Sequence, residues 1–406
     1  MLKCGLLGEK LGHSFSPRIH RALADYAYGL YEVPPASLDA FLAATDLDGM
    51  NVTIPYKKAV IPSCASLSPA AEAIGSVNTL VRMPYGWHGD NTDYAGFCYL
   101  CDSLGVEIKG KKVVIFGSGG ASLTVQKVMA DRGAGEIVVI SRSGTNNYSN
   151  LHLHADAEIV VNTTPLGTYP NTGAAAASLE NFPRCEAVLD VVYNPARTAL
   201  LQDAEKRGIK HTNGLGMLVA QAHRAAEIFL NKAIDPAVIE LIRKSMEREA
   251  RNIVLVGMPG SGKTKKGRLL AEKLGKRFVD ADEYFSQSFG ITPAEVITSR
   301  GEEAMRKMET EVLGELGKQS GLVIATGGGC VTREENYPHL HQNGLIVWVK
   351  RPLAELPTNG RPLSQSCGVQ ELYERRAALY ERFADVSIEV CDTVENAVEA
   401  IMEAIK

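Results

Sequence analysis

The stretch Gly257-Met258-Pro259-Gly260-Ser261-Gly262-Lys263-Thr264 constrains this chain more than any other. It follows a short apolar run, Ile253 to Val256, and precedes a helical pattern, which is the strand, loop and helix order of a phosphate-binding loop. Glycines let the backbone turn its amides onto phosphate oxygens, and the next helix presents its positive N-terminus. Lys263 can reach the β- and γ-phosphates and Thr264 can hold Mg²⁺, so Gly260, Ser261, Gly262, Lys263, Thr264 and Lys265 are candidate nucleotide contacts. In phosphate-loop folds this loop follows the first strand. Residues 1–250 and 251–406 are therefore expected to be separate domains, two proteins in series.

A length of 406 residues gives each part enough chain to bury its own core. Charged residues make up 22% and the formal net charge is -4, a balance that does not point to a nucleic acid or a membrane surface as partner. No run approaches the ~20 apolar residues of a membrane span, and no signal peptide opens the chain, so a cytoplasmic enzyme of small molecules is expected. Cys98 and Cys101 form the only CxxC pair, with no second pair or histidine at metal spacing, and read as packing residues on a helix. The pairs His152/His154 and His339/His341 carry no ligand spacing either.

The first half places polar clusters at strand ends, where α/β folds keep their ligands. Lys3 to Gly8 leads into Ser14-Phe15-Ser16-Pro17 before a helix, where the serines could also be caps. In Asn51-Val52-Thr53-Ile54-Pro55-Tyr56-Lys57, alternation puts Asn51, Thr53 and, if the strand persists, Lys57 on one side. Ser76-Val77-Asn78-Thr79 and Gly89-Asp90-Asn91-Thr92-Asp93 come next. These four segments, in this order, resemble the substrate lobe of shikimate dehydrogenases. The resemblance implies that Lys57 and Asp93 are the catalytic pair, and that Ser14, Ser16, Thr53, Asn78 and Asp93 bind the hydroxyls and carboxylate of a polyhydroxy cyclohexene. The chemistry agrees: hydride reduction of a ketone creates an alkoxide, and an ammonium held by a carboxylate can supply its proton.

From Lys111 the pattern changes to a mononucleotide-binding unit. A buried strand, Val113 to Phe116, enters the glycine turn Gly117-Ser118-Gly119-Gly120-Ala121, and a helix succeeds it. The next strand ends in Ser141-Arg142-Ser143, and an arginine where an acidic residue would hold a ribose hydroxyl favours NADP. Only about fifteen residues separate Ser143 from the strand at Glu158, too few for a complete half-unit, so an abbreviated cofactor lobe is expected. The same resemblance implies that Tyr193 and Gln221 touch substrate, that Val191 and Gly214 line the nicotinamide, and that 1–100 with 222–250 form the substrate lobe around a cofactor lobe at 101–221.

Beyond the phosphate loop, Arg277 to Asp282 reads as a strand ending in two carboxylates, Asp280 and Asp282, with alternation putting both on one side. Arg306 lies on a helix opened at Gly301, Gly327-Gly328-Gly329 come after a strand, Arg361 sits in a loop, and Arg376 lies on a late helix. This part resembles shikimate kinase, a phosphate-loop fold like that of nucleoside monophosphate kinases. The resemblance implies that Asp280 helps hold Mg²⁺, Asp282 accepts the substrate hydroxyl proton, and Arg306 and Arg376 clamp the substrate carboxylate. It further implies that Gly327 to Gly329 approach the ring and that Arg361 on a lid stabilises the transferred phosphoryl group. Lys265 and Ala378 depart from the family pattern, and the family's adenine-stacking arginine at the start of the lid has no evident counterpart. The expectation is an α/β bifunctional enzyme using NADP(H), ATP and Mg²⁺ to turn 3-dehydroshikimate into shikimate and then shikimate 3-phosphate. The alternatives are a kinase with a non-catalytic, regulatory shikimate-binding module, or one with a quinate/shikimate dehydrogenase of broad specificity.

Overall fold

The computed structural model describes residues 1–12, 14–356, 368–389 and 393–405. They group into two compact units: Met1–Leu166, Ala175–Tyr193 and Asp203–Met246 form the first, and Gly167–Ala174, Asn194–Gln202 and Glu247–Lys406 the second.

The first unit holds two sheets. Strands β1 (Lys3–Gly8), β2 (Ala27–Glu32), β3 (Gly49–Val52), β4 (Cys64–Leu67), β5 (Thr79–Met83) and β6 (Gly86–Asp90) form a mixed sheet in the order β2-β1-β3-β5-β6-β4. Only β5 runs antiparallel to its neighbours β3 and β6. One core cluster gathers Leu7, Met50, Val52, Leu80 and Trp87 with Leu38 and Leu42 of the helix Leu38–Ala44. The helix Leu215–Leu230 packs through Ala225, Ala226 and Phe229 onto Cys4 and Tyr26, and Phe229 lies against Gly49.

Strands β7 (Lys112–Phe116), β8 (Glu136–Ile140), β9 (Ile159–Asn162), β10 (Ala187–Asp190) and β11 (Lys210–Thr212) make the second sheet, ordered β11-β10-β9-β7-β8 with every pair parallel. Its central strands, Val113 to Phe116, Ile159 to Val161 and Ala187 to Leu189, are continuous apolar runs at 0% exposure, as burial on both faces requires. A dinucleotide domain in its common form is ordered 3-2-1-4-5-6. Here no strand among the described residues takes the third place, and β8 reaches β9 through turns and one 3₁₀ turn, Leu151–His154, in keeping with the short spacing in the sequence. The connection closes on itself: Asn150 accepts from the Asn147 amide and donates to the Thr145 carbonyl, while Tyr148 stacks on Phe116 at 6.0 Å.

The second unit is built on β12 (Asn252–Val256), β13 (Arg277–Asp280), β14 (Leu322–Ala325), β15 (Gly344–Lys350) and β16 (Val386–Glu389), ordered β13-β14-β12-β15-β16 and all parallel. Its two faces are separate clusters. Val254, Ile324 and Ile346 point toward Phe285, Val312, Leu316 and Tyr380, whereas Ile253, Leu255 and Val347 point toward Leu270, Val398 and Ile401. The short stretches 167–174 and 194–202 join this unit through bonds such as the Ala196 amide to Asn343 Oδ1 at 2.8 Å and Arg197 Nη1 to the His341 carbonyl at 2.9 Å. Leu255→Ala, at a 0% exposed position of the central strand, is expected to cost about 2–5 kcal/mol, read as a lower urea midpoint by circular dichroism.

Two candidate active sites

The first site forms where strands of the mixed sheet end. β3 stops at Val52, so Thr53 is the first residue beyond the strand and Lys57 lies in the turns after it. The alternation expected to carry Lys57 onto the face of Asn51 therefore does not apply; the turn places it. Lys57 Nζ donates to Asp93 Oδ2 at 2.6 Å, with the lysine side chain 24% and the aspartate 7% exposed. Asp93 is the first residue of the helix Asp93–Leu104, where the helix dipole favours a carboxylate.

Beside this pair, Asn78 is buried and hydrogen-bonded through both ends of its amide. Its Oδ1 accepts from the Thr92 amide at 2.7 Å, from Thr79 Oγ1 at 3.0 Å and from Thr92 Oγ1 at 3.2 Å, and its Nδ2 donates to Gln221 Oε1 at 3.4 Å. Asn78 thus fixes the residue preceding Asp93 and aligns Gln221 from a different element. Ser14 Oγ accepts from the Ser16 amide at 3.2 Å, and the intervening Phe15 meets Tyr193 edge to face at 5.9 Å. Thr53 packs its methyl on Gly8. The structure so pairs Lys57 with Asp93 and Asn78 with Gln221, with Asn78 also holding Thr92, the neighbour of Asp93, and Phe15 brings the segment between Ser14 and Ser16 against Tyr193. Thr92 and Thr79, which hold Asn78, were not singled out from the sequence, although both lie inside the segments that were.

The cofactor edge is built by the second sheet. Gly117 leaves β7 with its amide on the Ile140 carbonyl at 2.9 Å, and the helix Gly120–Asp131 begins after Gly119 with no side-chain cap. Ser118 and Gly119 are exposed or nearly so, Gly120 and Ala121 half-buried, and a Cβ at Gly119 would meet nothing within 4 Å. An open glycine turn on an uncapped helix fits a pyrophosphate. Ser141 is half-buried, and Arg142 and Ser143 are exposed beyond β8; Arg142 makes no ion pair among the described residues. A lone solvent-facing guanidinium fits a ribose phosphate. Across the sheet, Gly214 passes so near Val191 that a Cβ would lie 2.0 Å from its carbonyl oxygen.

The second site is organised by the phosphate loop. Lys263 Nζ donates to the carbonyls of Gly257 at 2.8 Å and Met258 at 3.0 Å, and Thr264 Oγ1 donates to Asp280 Oδ2 at 2.7 Å. A hydroxyl beside a carboxylate is an oxygen donor set that fits Mg²⁺ shared with phosphate oxygens. Asp280 does not alternate with Asp282 along a strand. It ends β13 and caps the helix Ala281–Phe289, its Oδ1 accepting from the Asp282 amide at 3.0 Å, so Asp282 belongs to the helix. The cap, a stronger local demand than strand continuation, sets the direction of Asp282.

Asp282 is exposed as a residue, yet its carboxyl turns toward Gly327. Desolvation there, then the like charges of Glu309 and Asp280, push it up to about 6 against the opposing pull of Lys263 and Arg306. Arg306, 6% exposed, donates from Nη1 to Glu309 Oε2 at 2.7 Å and from Nη2 to Glu302 Oε1 at 3.0 Å. Arg376 Nη1 and Tyr380 Oη both donate to the Gly328 carbonyl, the former at 3.0 Å. A Cβ at Gly329 would fall 1.9 Å from Arg306 Nη2, so only glycine admits the guanidinium. Gly327, Gly328 and Gly329 thus lie among Asp282, Glu309, Pro259, Arg306 and Arg376. Glu302, Glu309 and Tyr380 were not read as site residues. The two glutamates stand one helical turn to either side of Arg306, a spacing that could have found them; Tyr380 reaches its partner across a distance in sequence that no local motif reports. Arg361 lies outside the described residues.

Comparisons with known proteins match both parts to family models and the first part to individual relatives as well. The family model for the shikimate dehydrogenase substrate binding domain matches residues 6–80, and that for shikimate kinase matches 259–406. The shikimate dehydrogenase (NADP(+)) of Clostridium perfringens is 35% identical over 264 residues, 60% of this chain and 97% of the relative; that of Methanopyrus kandleri is 35% identical over 280 residues, 61% and 95%. Among solved structures, a chorismate mutase/shikimate 5-dehydrogenase fusion protein from Clostridium acetobutylicum superposes with a TM-score of 0.58 at 35% identity, covering 61% of this chain and 97% of that one. The shikimate 5-dehydrogenase of Thermus thermophilus in complex with NADP(H) and shikimate gives 0.55 at 29% identity, covering 60% and 99%.

Gly119 and Gly214 of the first unit allow a direct test of this geometry. Gly214→Ala forces a backbone shift against Val191 and is expected to lower the melting temperature by several degrees, whereas Gly119→Ala, with open space around it, leaves it unchanged.

Proposed function

The chain belongs to the shikimate dehydrogenase family and carries a shikimate kinase domain over residues 259–406, and we propose how its side chains divide two consecutive reactions on one ring. The protein reduces 3-dehydroshikimate to shikimate with NADPH and phosphorylates shikimate to shikimate 3-phosphate with ATP and Mg²⁺. Residues 1–250 carry the first activity and 251–406 the second.

In the first site, NADPH when bound supplies the hydride that converts the ring ketone to an alkoxide. Lys57 delivers the proton that this oxygen takes up, and Asp93, 2.6 Å from its ammonium, keeps it charged and aimed. Asn78, Gln221, Ser14, Ser16, Thr53 and Tyr193 hold the ring's hydroxyls and carboxylate. Val191 and Gly214 flank the nicotinamide, the turn Gly117 to Ala121 takes the pyrophosphate, and Arg142 between Ser141 and Ser143 takes the 2′-phosphate. Lys57 remains one-quarter exposed, which lets solvent return its proton after turnover.

In the second site, ATP supplies the phosphoryl group and Mg²⁺ screens its charge. Thr264 and Asp280 would hold the metal, and the loop amides from Gly260 to Lys265 would hold the phosphates. Asp282, raised to about 6, accepts the proton of the attacking hydroxyl. Arg306 and Arg376 bind the shikimate carboxylate against the triple glycine, and Arg361 together with Lys263 stabilises charge on the moving phosphoryl group. A cytoplasmic location is supported by six free cysteines among the described residues and by the absence among them of any helix long and apolar enough to cross a membrane.

The observation that carries the dehydrogenase reading is the Lys57–Asp93 pair, one buried carboxylate holding one ammonium beside the Asn78 network. With 3-dehydroshikimate, NADPH, ATP and Mg²⁺ the protein should form shikimate 3-phosphate with one NADPH oxidised per product. Phosphorylation of added shikimate without NADPH oxidation would make the first part a regulatory module instead. Lys57→Ala is expected to lower the reduction rate about 10²–10⁴-fold, the range of general acid catalysis, while shikimate phosphorylation continues. Asp282→Asn should do the reverse, with a loss of about 10²–10⁴-fold in phosphorylation alone; each is read by assaying the two steps separately.

A further inference from the structure

Lys266 is the fourth residue of the helix Lys263–Leu274, yet it is 4% exposed. Its Nζ donates to the Ser261 carbonyl at 2.7 Å and lies against Gly262, where a Cβ would be 2.5 Å away. Arg351, directly after β15, donates from Nη1 to the Gly260 carbonyl at 3.2 Å and from Nε to Glu355 Oε2 at 3.2 Å. Two cationic side chains outside the phosphate-loop pattern therefore grip consecutive carbonyls of that loop.

The arrangement is electrostatically uphill as it stands. A lysine in the first turn of a helix opposes the helix dipole, and burying an ammonium costs several kcal/mol unless it is paired. Among the described residues, the charged group acting on Lys266 is Arg351, of the same sign. Ser261 Oγ, at 0% exposure, has no hydrogen-bond partner in the same loop. An apolar side chain would fill the position of Lys266 without these penalties. An anion at the loop would compensate this charge, and the polyphosphate of a nucleotide is such an anion.

We propose that Lys266 and Arg351 form a second cationic hold on the nucleotide that acts through the loop and is distinct from Lys263: they fix the carbonyls of Gly260 and Ser261 from behind and add positive charge to the loop that faces the phosphates. A trans peptide carries its carbonyl and N–H on opposite sides, so the Lys266 bond to the Ser261 carbonyl turns the Gly262 amide away from the lysine. Lys266 is in this sense a positioning residue. The proposal rests on the reading of the second unit as an ATP-dependent kinase.

The test uses the full-length protein with Lys266→Met, Arg351→Gln and the double variant. Affinity is read by titration with a fluorescent N-methylanthraniloyl ADP, beside KM for ATP and for shikimate, the melting temperature without nucleotide, and the dehydrogenase rate. Lys266→Met should weaken the ADP analogue and raise KM for ATP about tenfold, the worth of one hydrogen bond from a loop amide to a phosphate that is no longer aimed. KM for shikimate and the dehydrogenase rate should not move, and the melting temperature should hold or rise because an uncompensated charge has gone. Arg351→Gln should act in the same direction more weakly, and both variants should flatten the salt dependence of ADP binding. Unchanged ADP affinity in the variants overturns the proposal, as does a fall in melting temperature with all kinase parameters failing together, which marks a packing role. Failure of the parent protein to bind the ADP analogue at all overturns the kinase reading itself.

Discussion

A parallel sheet delivers the carboxyl ends of its strands to one edge, and the loops that carry both sites of this protein follow from that constraint. β7, β8, β10 and β11 end at Phe116, Ile140, Asp190 and Thr212, and the next residues are the glycine turn, Ser141 to Ser143, Val191 and the approach to Gly214. β12, β13, β14 and β15 end at Val256, Asp280, Ala325 and Lys350, and directly beyond them lie the phosphate loop, Asp282, the triple glycine and Arg351. The mixed sheet obeys the rule through its one reversed strand. β5 runs antiparallel, so its beginning, preceded by Asn78, lies at the same edge as the ends of β3 and β6 that lead to Thr53 and Asp93.

Strand ends alone would leave these groups on loose loops, and the structure stiffens them by saturating their hydrogen bonds. Asn78 is 3% exposed, and its amide oxygen accepts three bonds. An unsatisfied amide at that depth would cost about 1–3 kcal/mol, so the network is stable only when Thr79 and Thr92 stand where they do. Arg306 is treated the same way by Glu302 and Glu309. Removing either carboxylate would leave a buried guanidinium partly uncompensated, a change far more costly than the loss of an exposed ion pair.

The same physics decides which parts were legible in the sequence. Short motifs at strand ends could be read because glycine turns and clustered polar residues interrupt apolar runs, and the missing third strand of the cofactor sheet could be read from chain length alone. Alternation failed at Lys57 and at Asp282, in both cases because the strand stops before an unbroken pattern would: at Val52, where turns take over, and at Asp280, where the side chain caps a helix. The supporting groups were hidden for a different reason. Tyr380 meets the Gly328 carbonyl across fifty-two positions of chain, and Arg351 reaches the Gly260 carbonyl across ninety-one. No local window contains both partners, so their type and spacing carry no signal until the sheet is assembled.

The two sites also differ in charge in the way their reactions demand. Ketone reduction develops a single negative charge on one oxygen, and the first site presents a single ammonium, Lys57, balanced by a single carboxylate. Phosphoryl transfer moves a highly charged group between oxygens, with little covalent work for the protein beyond positioning and charge stabilisation. The second site accordingly collects Lys263, Lys266, Arg306, Arg351 and Arg376 around Asp280, Asp282, Glu302, Glu309 and Glu355. In such a group each charge shifts its neighbours: Asp282 is raised because Glu309 and Asp280 add to its desolvation, and it stays within reach of ionisation because Lys263 and Arg306 oppose them. The carboxylates keep the cations in place before a ligand arrives, and the cations keep the base from being protonated outright. Neither set would hold its geometry without the other, and the glycines admit the close approach that such a group requires.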